Sequence, residues 1–238
     1  MNLKKKLLRE SRLYVIVDKK VSGARPIFNI VSKIKDSGAD IIQLRDKESK
    51  KEFILKEAYK LRKLLTNTQT LFIINDYIDI AKIVDSDGIH LGQNDLPLET
   101  ARQLLGKDKI IGISCHNLNQ AIEAQKNGAD YISIGPVFST PTKPEYKAVG
   151  LDLISKVKKA IHIPFFVIGG INENNINDIK SQGVKRAAIC RAICRAKNIP
   201  FTIKKIASRL GPSFSRSTSF YLTGSRSAGK GFRKAYPF

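Results

Sequence analysis

Eight short apolar runs, each separated from the next by a longer stretch, extend almost from one end of the chain to the other. The runs are Leu13–Val17, Ile41–Leu44, Leu71–Ile74, Gly88–Leu91, Ile110–Ile113, Tyr131–Ile134, Phe165–Ile168 and Ala187–Cys190. They are short, continuous and rich in Ile, Val, Phe and Tyr, as expected of strands buried on both faces. Between them lie amphipathic stretches with helical spacing: Phe28–Asp36, Glu52–Leu65, Ile78–Val84, Leu98–Leu105, Asn119–Lys126, Leu153–Ala160 and Ile176–Ser181. In Glu52–Leu65 the apolar stripe is read as Phe53, Leu55, Ala58, Tyr59, Leu61 and Leu65, with lysines opposite. The segments SGADIIQLR, NGADYISIG and QGVKRAAIC each place a helix-ending glycine (Gly38, Gly128, Gly183) just before a strand. Eight such units fit either a closed ring or an open sheet. Because they fit into about 200 residues and leave no second domain, the reading favours one α/β unit, a (β/α)8 TIM barrel over residues 1–210. That choice makes a demand of its own, since barrel chemistry sits on the rim beyond the C-terminal ends of the strands.

Composition narrows the class further. The 238 residues are 42% hydrophobic, enough for a full core. No apolar run approaches the roughly 18 residues of a membrane helix, and the start of the chain does not read as a secretory leader. Three cysteines, Cys115, Cys190 and Cys194, form no even framework, which points to reduced thiols and a cytoplasmic setting. The net charge of +21 suggests nucleic acid at first sight. Its distribution weakens that reading. The last acidic residue is Asp178, and 13 lysines or arginines follow from Lys185 onward, five of them beyond Leu210. Residues 211–238 are rich in Ser and Gly and have no periodicity, so they read as a flexible basic extension.

The rim demand is met at six successive strand ends. They carry Gln43-Leu44-Arg45-Asp46-Lys47, Asn75-Asp76, Gly92-Gln93-Asn94-Asp95, Ser114-Cys115-His116, Ser139-Thr140-Pro141-Thr142-Lys143 and Gly169-Gly170-Ile171. Asp76 and Asp95 each precede a helical pattern and could be ordinary N-caps. On neighbouring rims of one barrel they could instead hold one hard cation, and Mg2+ takes one or two carboxylates with waters and substrate phosphates. Arg45, Lys47 and Lys143 flank them, the arginine as a planar fork for phosphate oxygens and the lysines as point charges. Gly169-Gly170 resembles a barrel phosphate loop, although a simple tight turn explains it equally well. Thr140 and Thr142 add hydroxyl donors nearby. His90, His116 and His162 lack zinc-ligand spacing. Cys115 reads as a core thiol, because it and His116 point to opposite faces of their strand.

QLRDK, NDYIDIA, DGIHLGQND, GISCH, DYISIGPVF, TPTK and FVIGGI occur in an order and spacing that resemble the thiamine phosphate synthase family over roughly residues 12 to 195. The resemblance implies a (β/α)8 barrel and a transferase. Such an enzyme joins a hydroxymethylpyrimidine diphosphate to a thiazole phosphate, giving thiamine phosphate and pyrophosphate. By the same resemblance, Gln43, Arg45, Lys47 and Asn75 would hold the pyrimidine diphosphate, within a substrate-binding run that includes Leu44 and Asp46. Ser114 and Lys143 would complete that pocket, and Asp76 and Asp95 would bind Mg2+. Thr140, Pro141, Thr142 and Gly170 would receive the thiazole phosphate, with backbone groups near Cys190 and Arg191. Family members often carry a small residue where this chain has Arg191. The implied partners are small molecules, without membrane or nucleic acid, and a homo-oligomer is compatible with them.

Two rivals remain at this level. A thiazole tautomerase on the same barrel uses a histidine near the position of His116, but generally lacks the full metal and diphosphate set. A single-strand nucleic-acid binder could use Arg216, Arg226, Lys230, Arg233 and Lys234 interleaved with Phe214, Tyr221, Phe232 and Tyr236.

Overall fold

The computed structural model describes residues 2–142 and 147–211. Lys143 and the basic extension from residue 212 onward therefore lie outside the described residues. The elements in chain order are α1 (Leu3–Glu10), β1 (Leu13–Asp18), α2 (Lys19–Ser22), α3 (Ile27–Lys35), β2 (Ile41–Arg45), α4 (Lys51–Leu65), β3 (Leu71–Asn75), α5 (Ile78–Ile83), β4 (Gly88–Leu91) and α6 (Leu98–Leu105). They continue with β5 (Ile110–Cys115), α7 (Leu118–Lys126), β6 (Tyr131–Ile134), α8 (Asp152–Ala160), β7 (Phe165–Ile168), α9 (Ile176–Ser181), β8 (Ala187–Ile189), α10 (Arg191–Cys194) and α11 (Ile199–Leu210). The strands pair in sequence order, all parallel, and β1 pairs with β8 to close the ring. The closed (β/α)8 barrel is the architecture expected from the alternation of apolar runs.

Two cores follow from the alternation of side chains along each strand. The outer core lies between barrel and helices and takes Val15, Ile42, Leu44, Phe72, Ile74, Ile89 and Ile111. The inner one takes Tyr14, Ile16, Ile41, Leu71, Ile73, Ile110, Tyr131, Phe166 and Ala188. The helices present one stripe to the outer core. In α4 that stripe is Ile54, Ala58, Leu61 and Leu65, spaced by four, three and four. Phe53 and Tyr59, expected within it, are about half exposed. The pitch of 3.6 residues rotates them off the face that Ala58 and Leu65 define.

Helix α1 was not anticipated. Its Leu8 joins the inner core and, with Leu7, plugs the N-terminal end of the barrel. The Asn2 side chain caps the helix at Lys4 N–H, 2.9 Å away. At the same end, an aspartate precedes each of β2, β4 and β6 and accepts N–H groups from the preceding strand of the ring. Asp40 accepts from Arg12 and Leu13 at 2.8 and 2.9 Å. Asp87 accepts from Phe72, and Asp130 from Ile111, each at 2.9 Å. Cations close over these carboxylates: Lys4 and Arg62 on Asp87 at 3.2 and 3.1 Å, Lys5 and Arg102 on Asp130 at 2.8 and 2.6 Å.

Candidate active site

A cavity of about 350 Å³ opens at the C-terminal end of the barrel. Arg45, Ser114, Thr140, Pro141, Thr142, Gly170, Cys190 and Arg191 line it, so eight of the residues singled out in the sequence meet there. Others of that set take different places. Gln43 is buried below the cavity and donates from Nε2 to the Tyr14 hydroxyl at 2.7 Å. Leu44 faces the outer core. Asp46 accepts the N–H groups of Glu48 and Ser49, both at 3.0 Å, and so fixes the turn into α4.

Asp76 and Asp95 do not serve as helix caps. Helix α5 begins after Tyr77 and α6 after Pro97, with no side-chain cap on either. Asp76 stands at φ +60°, in the left-handed region that few residues other than glycine enter. That turn carries its carboxyl away from α5. Lys47 Nζ lies 2.8 Å from one of its oxygens. Asp95 folds back to accept Gly92 N–H at 2.6 Å. Burial, together with the hydrogen-bonded Asp95, pushes the Asp76 carboxyl up, while Lys47 pulls it down. Burial acts in the same upward sense on Asp95, but there the hydrogen bond from Asp76 and the Gly92 N–H prevail and lower it. Like charges placed close together resist joint ionisation, which is why one carboxyl is pushed up and the other down. Beside them Asn75 is buried, and its Nδ2 has no hydrogen-bond partner among the described residues.

On the far side of the mouth, Gly170 stands at φ +67°, and a Cβ there would lie 2.6 Å from the Ser139 carbonyl. Only glycine fits that turn. Asn172 and Asn175 donate to the Gly170 carbonyl at 3.2 and 2.9 Å, leaving the loop braced from below. Thr142 Oγ1 is buried without a partner among the described residues.

Asp18 and the interior position of His90 escaped the reading of the sequence, whereas His116 was read there as the tautomerase rival's histidine. Asp18, at the end of β1, is buried, lines the cavity and pairs with Arg45, while its other oxygen accepts Val21 N–H at 2.8 Å. His90 sits inside the barrel, with Nε2 2.9 Å from Ser114 Oγ and Nδ1 2.9 Å from the Tyr131 hydroxyl. His116 lines the cavity with Nδ1 2.7 Å from the Gly135 carbonyl. The one available signal was parity: Asp18 and His90 fall on the inward-facing register of their strands. Burial pushes the Cys115 thiol up to about 12, and the hydrogen bond with Cys194 pushes Cys190 well above its usual range. Neither thiol on the cavity wall is a ready nucleophile.

Among the described residues, no group of three His, Cys, Asp or Glu side chains is placed to hold a metal ion. The donor set at Asp76 and Asp95 is two hard oxygens' worth of carboxylate, which fits a Mg2+ ion whose remaining ligands come from substrate and water.

The family model described as thiamine monophosphate synthase matches residues 13–193. The thiamine-phosphate synthase of Shouchella clausii is 42% identical over 193 residues, covering 81% of this chain and 92% of that one. The enzyme of the same name from Clostridium acetobutylicum is 40% identical over 188 residues, covering 79% and 89%. Among solved structures, thiamine phosphate pyrophosphorylase from Pyrococcus furiosus superposes with a TM-score of 0.79 at 32% identity, covering 86% of this chain and 97% of that one. A 3-hexulose-6-phosphate synthase, at 14% identity and a TM-score of 0.60, shares the fold alone.

Proposed function

The chain belongs to the thiamine monophosphate synthase family and makes thiamine phosphate, and we propose that it does so at the barrel mouth described above. There it would join 4-amino-2-methyl-5-(diphosphooxymethyl)pyrimidine to 4-methyl-5-(2-phosphooxyethyl)thiazole and release pyrophosphate. The observation that carries this reading is that neither Asp76 nor Asp95 caps the helix that follows it: Asp76 stands at φ +60° against Lys47 Nζ at 2.8 Å, and Asp95 folds back onto Gly92 N–H at 2.6 Å. Two carboxyls held together against their repulsion are suited to a divalent cation, which we assign as Mg2+.

Arg45, Lys47 and Ser114 hold the diphosphate in this reading, with the unpartnered Asn75 amide beside them. Asp18 keeps the Arg45 guanidinium in place. Bound between Asp76 and Asp95, Mg2+ would neutralise the charge that develops on the diphosphate. The C–O bond between the pyrimidine methylene and the diphosphate breaks first, and its electron pair leaves with the diphosphate. Electron release from the aminopyrimidine stabilises the methylene cation, and the thiazole nitrogen then supplies the pair for the new C–N bond. The raised Cys115 and Cys190 thiols agree with a path that needs no protein nucleophile. Thr140, Thr142 and the Gly170 loop receive the thiazole phosphate, and Arg191 adds a cation where relatives often have a small side chain. The protein's work is then positioning and electrostatics in a shielded cavity. We take residues 1–210 as the whole catalytic unit and the cytoplasm as its compartment. No helix among the described residues is long and apolar enough to cross a membrane.

Incubation of the purified protein with both substrates and Mg2+ tests the reading directly. Thiamine phosphate and pyrophosphate should appear in equal amounts. Isomerisation of the thiazole phosphate alone, for which His116 on the cavity wall gives a footing, would assign the tautomerase reading instead.

A further inference from the structure

Five polar side chains form a continuous chain through the barrel interior, from β2 to β5. Gln43 Nε2 lies 2.7 Å from Tyr14 Oη, and Tyr14 Oη lies 2.9 Å from Tyr131 Oη. Tyr131 Oη is 2.9 Å from His90 Nδ1, and His90 Nε2 is 2.9 Å from Ser114 Oγ. Ser133 Oγ stands 3.4 Å from the same Nε2. All except Ser114 are buried, and Ser114 lines the cavity. The rings are fixed by packing. Tyr131 stacks on His90 with centroids 5.4 Å apart, and both tyrosines meet Phe166 edge-on at 86°. Gly112 leaves room for this, since a Cβ there would lie 2.0 Å from Tyr131 Cζ.

The chain has a direction. An amide nitrogen can only donate, so Tyr14 Oη accepts from Gln43. Burial pushes both phenols up, so each keeps its proton. Among the described residues the other partner of Tyr14 Oη is Tyr131 Oη, which must therefore receive the Tyr14 proton. With a neutral imidazole, Tyr131 in turn gives its own proton to His90 Nδ1. The imidazole proton then sits on Nε2 and is donated to Ser114 Oγ. In the opposite direction Tyr14 would accept twice and keep a buried proton with no acceptor, an arrangement that folded interiors avoid.

We propose that this one-way chain, Gln43 to Tyr14 to Tyr131 to His90 to Ser114, makes the Ser114 hydroxyl a dedicated donor to the departing diphosphate, with Tyr131 and His90 as positioning residues. The proposal rests on the assignment of Ser114 to the diphosphate. Ser114 Oγ accepts from His90 Nε2 on one of its two lone pairs, so its own proton is left to turn into the cavity. Gln93 Nε2 holds the Ser114 carbonyl at 2.6 Å and steadies the residue from the rim side. A donor set before the bond breaks costs no reorganisation as charge builds on the leaving oxygen.

Two measurements test it. Nitrogen-15 NMR of histidine-labelled protein, with the His90 signals identified by their loss in His90→Asn, should show a proton on Nε2 and a bare Nδ1. A proton on Nδ1 overturns the proposal, whether or not the protein makes thiamine phosphate. In the second, Tyr131→Phe keeps the ring and removes the hydroxyl. It should lower kcat about tenfold, the scale of one buried hydrogen bond, and leave KM for the thiazole phosphate unchanged. In a Ser114→Ala background the same substitution should have no further effect. An equal loss in both backgrounds means that Tyr131 acts through packing alone and overturns the proposal. Should Tyr131→Phe not fold, Tyr14→Phe removes the preceding link and carries the same expectation.

Discussion

At the N-terminal end of the barrel, Asp40, Asp87 and Asp130 accept backbone N–H groups of the neighbouring strand, and lysines and arginines close over Asp87 and Asp130. At the C-terminal end, Asp76 and Asp95 lean on each other, with Lys47 against one and a single backbone N–H on the other. The residue type is the same and the strands are neighbours in one ring. The difference lies in what the carboxylates satisfy. The first group completes the hydrogen bonding of strand starts, whose N–H groups would otherwise be buried without an acceptor. The second group leaves charge poorly compensated, a state that stabilises no fold and suits a ligand. The comparison separates stability from function along the barrel axis, and substitutions can break it at either end.

The largest effect is expected at the rim. Asp76→Asn keeps a side chain that tolerates positive φ and removes the charge, so kcat should fall about 10²- to 10³-fold. Its thermal midpoint should stay close to that of the parent, since the relieved repulsion from Asp95 offsets the lost Lys47 ion pair. A midpoint that drops with activity would erase the distinction between the two ends. Next comes the plug: Leu8→Ala empties the closed end and should cost about 2–4 kcal/mol, read by urea unfolding. Asp87→Ala should cost about 2–3 kcal/mol, since it leaves Phe72 N–H and two cations without their partner. A midpoint lower by about 5–10 °C is the corresponding thermal reading. Both variants should retain the parent's kcat below their unfolding transitions, the mirror image of Asp76→Asn. Arg191→Ser should raise KM for the thiazole phosphate by only about two- to fivefold, because the arginine is exposed and its phosphate contact is shared with water. Ending the chain at Gly211 should change neither stability nor turnover, and a loss of either would assign the basic extension a part in the barrel.

The eight strands were legible because strands covered on both faces read as unbroken apolar runs. Their ends were less so. Asp18, Arg45 and Asn75 extend β1, β2 and β3 by one residue each beyond the apolar run, and a polar residue there reads as loop until the register shows it paired. Asp76 and Asp95 were legible as a candidate cation-binding pair, but a pair of helix caps read equally well. Each precedes a helix, and only the positive φ of Asp76 and the fold-back of Asp95 distinguish them from caps. The interior chain was hidden for a different reason. Tyr14, Gln43, His90 and Tyr131 are scattered over four strands, and a polar residue inside an apolar run gives no sign of which others it will meet. Helix α1 was obscured by its lysines, whose partners, Asp87 and Asp130, lie far along the sequence.

The pairing of β1 with β8 also sets a timetable for the ribosome. Leu13 and Tyr14 emerge early, and their partners Ala187 and Ala188 follow more than 170 residues later. At about 5–20 residues per second, one edge of the first strand waits roughly 10–30 s for its neighbour. During that interval the nascent chain exposes the strand edge that the finished ring conceals.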